Sequence, residues 1–341
     1  MINQIYRLVS PRQFEVTYER QGLQSGLVVV RPEYLSICAA DQRYYTGTRG
    51  KEALSKKLPM ALIHEGIGSV VYDPNDNFKP GDQVVMIPNT PTEKDDFVAE
   101  NYLRSSKFRS SGYDGFMQDY VFLDSNRIVL LSEQLKPHVT AFLELVTISV
   151  HAITRFDRLA HKRRNVFGVW GDGNLGYITS LLLKNLYPES KVCVFGKTEY
   201  KLNHFSFVDE VYQIDNIPET LKIDHAFECV GGKGSQYAIN QIIDYINPEG
   251  SISILGVSED LVELNTRMIL EKGITVIGSS RSGREDFVKA VNVLTKYESI
   301  QEYLETLVGS VHEVKSIQDI IDTFEADLTS SWGKTVMHWK I

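Results

Sequence analysis

The chain has 341 residues, a length at which a single hydrophobic core ordinarily divides, so two domains are expected. Its 44 acidic residues outnumber 36 Lys and Arg, a formal net charge of −8, which excludes a surface built to coat nucleic acid or anionic membranes. Three cysteines without clustered spacing, Cys38, Cys193 and Cys229, exclude a disulfide framework and fit a reducing cytoplasm. The opening MINQIYRLVSPRQFE lacks the apolar centre of a signal peptide, and no apolar run approaches the roughly 18 residues that span a bilayer. A cytoplasmic protein without a membrane partner is the expectation.

In chain order, the first part reads as β-rich. LVVVRPEYLSIC, LPMALIHEGIGSVV (58–71) and DQVVMIP are short strand-like runs, separated by the turn signals YDPNDN and KPGD. A polar, irregular stretch follows from Asn89 to Asp114, long enough to be functional or to carry local helix. GFMQDYVFL returns to strand, and VTAFLELVTISVHAITRF has helical apolar spacing. From Asn165 to about Ser280 apolar strands alternate with helical segments, which implies a parallel sheet covered on both faces. Two amphipathic helices, around DFVKAVNVLTKY and SIQDIIDTFEAD, and a last strand, KTVMHWKI, complete the chain.

The strand NVFGVW runs into GDGNLG and then a helix. Gly171, Gly173 and Gly176, with Asn174 and Leu175 between the last two, match the dinucleotide fingerprint. The first glycine permits the tight turn, the second admits the pyrophosphate, and the third lets the helix pack on the sheet, whose helix N-terminus then faces the phosphates. A bare βα turn would carry the same glycines. The acid that binds ribose in NAD sites is expected at the end of the next strand, KVCVFGKTEYKL; Gly196 stands there, followed by Lys197, Thr198 and Lys201. Glycine leaves room for a 2′-phosphate and these side chains suit it, so NADPH is the expected cofactor. Otherwise Lys197 is a surface lysine.

His64 and Glu65 lie side by side within the apolar run 58–71. Neither belongs in a dry core unless something satisfies it. Cys38 precedes them in SICAADQRYYTG and Glu144 follows in FLELVTISVHA. Thiolate, imidazole and carboxylate together are the donor set of a catalytic zinc. Cys193 and Cys229 read as core packing, and His151 as a satisfied interior histidine.

Cys38 with Asp41, the His64-Glu65-Gly66 run, Gly81-Asp82-Gln83-Val84-Val85, Gly115-Phe116, Glu144 and the glycine fingerprint together resemble the medium-chain, zinc-dependent dehydrogenases over essentially the whole chain. The resemblance implies an α/β protein. Its GroES-like, β-rich catalytic domain would occupy 1–147 and 281–341, split around a Rossmann doubly wound parallel-sheet domain at 148–280. It implies one catalytic zinc on Cys38, His64, Glu65 and Glu144. Many members hold a second, structural zinc with four cysteines; 89–113 has none, so no structural zinc is expected. Many also carry Ser or Thr two residues after the zinc cysteine to pass on a proton. Here Ala40 stands there, leaving Asp41, Tyr44 or a water on Glu144; Asp41 serves equally well as a turn cap.

ICAADQRYYTG, IPNTPTEKDD, FRSSGYDGFMQD, WGDGNLGYIT, HAFECVGG, LGVSE and IGSSRSG resemble the branch of that family that reduces ribulose 5-phosphate to ribitol 5-phosphate with NADPH. That branch feeds CDP-ribitol and wall teichoic acid or capsule synthesis. The resemblance implies a homodimer, associated with a ribitol-5-phosphate cytidylyltransferase. The small phosphorylated sugar needs cations, and Arg104, Lys107 and Arg109, with Arg43 as a rival, are the candidates; a solvated charged face is the other reading. The Cys38 thiolate and Glu65 carboxylate already neutralise zinc. A directly bound Glu144 would weaken it as a Lewis acid, so Glu144 is expected to bind weakly or through water. An NAD-linked dehydrogenase of an unphosphorylated polyol, and a non-catalytic NADPH-binding protein, are the competing readings.

Overall fold

The computed structural model describes residues 1–23 and 26–341. The chain forms two compact units, Met1–Leu145 with Ser282–Ile341, and Val146–Arg281. The helix Leu143–Leu159 begins in the first and continues into the second.

The first unit is built on sheets. The hairpin Ile2–Ser10 and Gln13–Arg20 pairs with the short strand Met60–Ala61. A second sheet orders Ile128–Leu130, Gln83–Met86, Glu65–Tyr72, Val28–Ser36, Lys334–Trp339 and Val308–Val314, with Val121–Leu123 also on Val28–Ser36. Leu8, Val30, Leu35, Tyr45, Phe116, Phe324 and Met337 are among the side chains of its core. The central register positions the site. Ser36 opposes Glu65 on one side and Val336 on the other, so the end of one strand, the start of the next and the C-terminal strand meet beside Cys38. The C-terminal segment also holds a helix, Glu298–Glu305, and a strand, Val308–Val314, absent from the sequence reading. That strand runs parallel to Lys334–Trp339 through the crossover helix Ile317–Thr329.

One expectation fails here. The run 58–71 is not a continuous strand: pairing stops after Ala61 and resumes at Glu65. Between them Ile63 adopts φ 69°, a left-handed conformation that a β-branched residue rarely takes. Tertiary hydrogen bonds hold it. Phe116 N–H donates to the Ile63 carbonyl at 2.7 Å, Gly115 N–H to Ala61 at 2.8 Å, and Ile63 N–H to Asp41 Oδ1 at 3.0 Å. The break sits next to His64, as strained backbone often does at functional sites.

The second unit carries six parallel strands, Val166–Trp170, Lys191–Gly196, Glu210–Gln213, Ile223–Glu228, Ile246–Ile254 and Thr275–Gly278. Their spatial order is third, second, first, fourth, fifth, sixth, the doubly wound order whose reversal beside the first strand opens a dinucleotide crevice at the strand C-termini. Trp170 stacks on Phe195 with ring centroids 3.8 Å apart, within a core that includes Cys193, Ile223, Ile242 and Ile252. The near-unbroken apolar runs in the sequence reflect strands buried on both faces. Among the described residues, no helix is long and apolar enough to cross a membrane.

Candidate functional site

Cys38 ends the segment after Val28–Ser36 and caps the helix Ala39–Tyr45. Its Sγ lies 3.5 Å from His64 Nε2. Donor atoms of Cys38, His64 and Glu65 all fall within 4.8 Å of one another. Bonds of ordinary zinc–sulfur and zinc–nitrogen length at a tetrahedral angle place the two donors about 3.6 Å apart, so the Cys38–His64 spacing suits that ion. Burial, reinforced by Asp41 and relieved by His64, pushes the Cys38 thiol up to about 11; a thiolate here calls for a cation.

The supporting residues are as specific as the donors. Asp41 is buried and accepts from Cys38 N–H at 3.2 Å, Cys38 Sγ at 2.9 Å, Ile63 N–H at 3.0 Å and Ser110 Oγ at 2.8 Å. Those four donors fill a carboxylate's acceptor sites. His64 Nδ1 stands 3.7 Å from Asp41 Oδ1, beyond hydrogen-bond distance, so this outer carboxylate acts on the imidazole as a nearby charge. Burial opposes ionisation of Asp41, yet His64, Cys38 and Ser110 bring its carboxyl down to about 2. Glu65 Oε2 lies 2.8 Å from Lys334 Nζ, both side chains being almost wholly buried. This is an ion pair without hydrogen-bond angles at Oε2; Lys334 Nζ also donates to the Ile37 carbonyl at 2.7 Å. Burial opposes the Lys334 charge, but Glu65 and Cys38 outweigh it and raise its pKa.

Glu144 sits in the first turn of the helix Leu143–Leu159, buried. It is outside the group of three whose donors share the 4.8 Å sphere. Burial pushes its carboxyl up to about 7, with His64 acting against this and Glu65 adding to it.

In the second unit, Trp170 leads into Gly171 at φ 134°, and Gly173 caps the helix Asn174–Leu186. A Cβ on Gly176 would come 1.9 Å from the Gly171 carbonyl oxygen, and one on Gly171 would come 2.9 Å from the Cys229 backbone. A Cβ on Gly173 would meet nothing within 4 Å. Two glycines are therefore demanded by the protein, and the third borders open space at a helix N-terminus, where a pyrophosphate fits. Gly196 does not leave the room expected of it. A Cβ there would meet Asp172 Cβ at 2.6 Å, because the Asp172 side chain covers that position.

Residues 24–133 match the alcohol dehydrogenase GroES-like domain, and residues 191–296 match the zinc-binding dehydrogenase domain. The ribulose-5-phosphate reductase of Bacillus spizizenii is 66% identical over 100% of both chains. Ribulose-5-phosphate reductase 1 of Staphylococcus aureus is 61% identical over 99% of both. The chain belongs to the zinc-binding dehydrogenases. The crystal structure of S. aureus TarJ in complex with NADPH superposes with a TM-score of 0.91 at 55% identity, covering 100% of each chain. L-Idonate 5-dehydrogenase from Escherichia coli shares the fold, with a TM-score of 0.86 at 20% identity over 99% of this chain and 98% of that one. The expectation of a GroES-like domain joined to a Rossmann domain is borne out.

The other expected residues of this zinc-binding dehydrogenase are distributed unevenly. Tyr44 is buried with its hydroxyl unpartnered, and Arg49 Cζ and Lys57 Nζ lie 4.6 and 5.8 Å from its ring centroid. Arg43 is half-buried, while Arg104 and Lys107 are exposed. Arg109 is committed to its own lobe. It donates to the carbonyls of Asp114 at 3.2 Å and Phe122 at 2.7 Å, and burial lowers its pKa to about 10. Lys107 and Arg109 share a 330 Å³ cavity with Thr90, Tyr113, Asp114 and Asp124. Lys197 is exposed; Thr198 and Lys201 are half-buried. Cys193 and Cys229 are buried, as packing requires, and His151 is buried.

Sequence reasoning missed Lys334, Asp172 and Ser110. A lysine opening the last strand and a serine in a polar loop carry no local signal. Asp172, between two fingerprint glycines, and Ser110, in FRSSGYDGFMQD, did stand in stretches already singled out. Lys334 also changes the charge count, which had included only the first shell. Its positive charge is matched by the ionised Asp41 carboxylate beside Cys38 and His64, so with zinc bound an ionised Glu144 would still leave the cluster one negative overall.

Proposed function

We propose that this chain reduces ribulose 5-phosphate to ribitol 5-phosphate with NADPH at a single catalytic zinc. The observation that carries this reading is the convergence of Cys38, His64 and Glu65 donors within 4.8 Å, in a chain 66% identical to a ribulose-5-phosphate reductase. Bound zinc would polarise the ketone carbonyl, and bound NADPH would supply the hydride. The residues do the remainder. Cys38, His64 and Glu65 would hold the ion, with Glu144 as a weak or water-mediated ligand beside them. The Asp41 charge faces the His64 ring, the Ile63 kink aims it, and Lys334 offsets the burial that raises the Glu65 pKa.

The alcohol also needs a proton. The Asp41 oxygens are fully engaged by four donors, which favours an orienting role over a relay. Tyr44 and a water on Glu144 are the remaining routes. Asn174, Leu175 and the three fingerprint glycines cradle the pyrophosphate; Lys197, Thr198 and Lys201 face the 2′-phosphate. Arg43, Arg104 and Lys107, with Arg49 and Lys57 beside Tyr44, are the cations proposed for the sugar phosphate; the backbone bonds of Arg109 weigh against it. Ribitol 5-phosphate would pass to a cytidylyltransferase for CDP-ribitol and wall polymer synthesis in the cytoplasm, from a homodimeric enzyme.

The test is NADPH oxidation with ribulose 5-phosphate, before and after a zinc chelator, with zinc content measured on the same samples. Activity that falls with zinc and returns on its readdition is expected. A zinc-loaded, NADPH-binding protein inert towards ribulose 5-phosphate would end the proposal. Equal efficiency with NADH and an unphosphorylated polyol would favour the NAD-linked dehydrogenase.

A further inference from the structure

We propose that Asp172 is the positioning residue for the cofactor 2′-phosphate, clamping the turn that carries Lys197, Thr198 and Lys201 onto the glycine loop. The inference rests on the NADPH reading above and deepens it. In an NAD site a carboxylate from the second strand reaches the ribose. Here the carboxylate at that place comes from the loop instead. Asp172 Oδ2 accepts the backbone N–H of Lys197 at 2.9 Å and of Thr198 at 2.7 Å. Both bonds fall on one oxygen, so they draw the charge towards the backbone.

The clamp starts the turn. The Thr198 carbonyl accepts N–H from Lys201 at 3.0 Å and from Leu202 at 3.1 Å, opening the short helix Glu199–Leu202. The three side chains assigned to the phosphate thus hang on a segment anchored by Asp172. The same residue lies between Gly171 and Gly173, so it ties the pyrophosphate cradle to the ribose end.

Gly196 belongs to this device. A Cβ there would come 2.6 Å from Asp172 Cβ, 2.8 Å from Leu202 Cδ2 and 3.0 Å from Asp172 Oδ2. A side chain at 196 and the clamp exclude one another. The missing ribose acid and the loop carboxylate are one feature: Asp172, with Leu202, occupies the space a side chain at 196 would need.

The experiment titrates the full chain with 2′,5′-ADP and with 5′-AMP by calorimetry, which reads the 2′-phosphate without turnover. Wild type should prefer 2′,5′-ADP; no preference would refute the NADPH reading itself, before any variant is made. Given that preference, D172A should bind 2′,5′-ADP about tenfold more weakly, from the loss of two charge-assisted bonds, while 5′-AMP changes little. D172N should keep the preference, since its amide oxygen can accept the same two N–H groups. G196A, whose Cβ would displace Asp172 and Leu202, should weaken 2′,5′-ADP binding likewise. An unchanged or increased preference in D172A or in G196A, or a D172N that behaves as D172A, would overturn the assignment. Should D172A fail to fold, D172N and G196A decide it by the same criteria.

Discussion

Replacing Lys334 by methionine isolates the charge behind the candidate metal site. Lys334 Nζ stands 2.8 Å from Glu65 Oε2 and 2.7 Å from the Ile37 carbonyl oxygen, and side-chain exposures are 2% and 1% for the two ionic partners. Removing one member of a buried pair generally costs about 3–5 kcal/mol, because the other is left charged and unpaired. Glu65 has an escape, which is to bind a proton. Burial already raises its pKa above the ordinary 4.5 with Lys334 in place, so the cost of a neutral Glu65 at neutral pH, about 2.5 pH units from that ordinary value or about 3.4 kcal/mol, is a ceiling on the loss. The loss should therefore be about 1–3 kcal/mol at neutral pH in zinc-free protein. The sign follows from linkage. A carboxyl whose folded pKa is raised above its unfolded value destabilises progressively as pH rises, so the loss should shrink by about 1.4 kcal/mol for each unit of acidification towards the unfolded value. Urea unfolding of zinc-free wild type and Lys334→Met across that range measures it. Added zinc should restore much of the difference, since the ion replaces the lysine as counter-charge. A loss below about 1 kcal/mol, or one independent of pH, would refute the reasoning.

Three further outcomes are expected. His225 is buried, with Nε2 2.9 Å from the Arg163 carbonyl and Nδ1 2.9 Å from Ser251 Oγ, and burial, aided by His161, holds its imidazole down to about 4. Its contribution to stability is complete above about 6.5, is lost as pH falls from there to about 4, and amounts to about 2–3 kcal/mol after allowance for screening. Thermal melts from pH 7 downward should show a shallower decline for His225→Gln than for wild type; parallel declines would count against it. Gly176→Ala would place a Cβ 1.9 Å from the Gly171 oxygen, so the loop must shift and NADPH affinity should fall at least about tenfold, read by fluorescence titration. Unaltered affinity would show that the loop does not contact the pyrophosphate. Arg109→Ala strands the Asp114 and Phe122 carbonyls; about 3 kcal/mol of stability should go, with a fall in Tm of several degrees. An unchanged Tm with a higher KM for ribulose 5-phosphate would instead return Arg109 to the substrate.

The sequence by itself determined what is local. Apolar runs alternating with helical periods specify a parallel sheet because strands buried on both faces need continuous hydrophobicity. The glycine fingerprint was legible because steric demand acts within a few residues: Gly176 is excluded from bearing a Cβ by Gly171 nearby. Cys38, His64 and Glu65 were legible because buried donors of those types are costly without an ion. Tertiary structure decided what depends on distant partners. The break at Ile63 is held by Phe116, Gly115 and Asp41, none of which acts through local propensity. Lys334 reaches Glu65 only because the C-terminal strand pairs with Val28–Ser36. Arg109, one of three similar cations in sequence, is distinguished by the carbonyls it meets, and Gly196 by the aspartate folded over it. Propensity and spacing act along the chain, whereas charge compensation and steric exclusion act through space, and only the fold sets those distances.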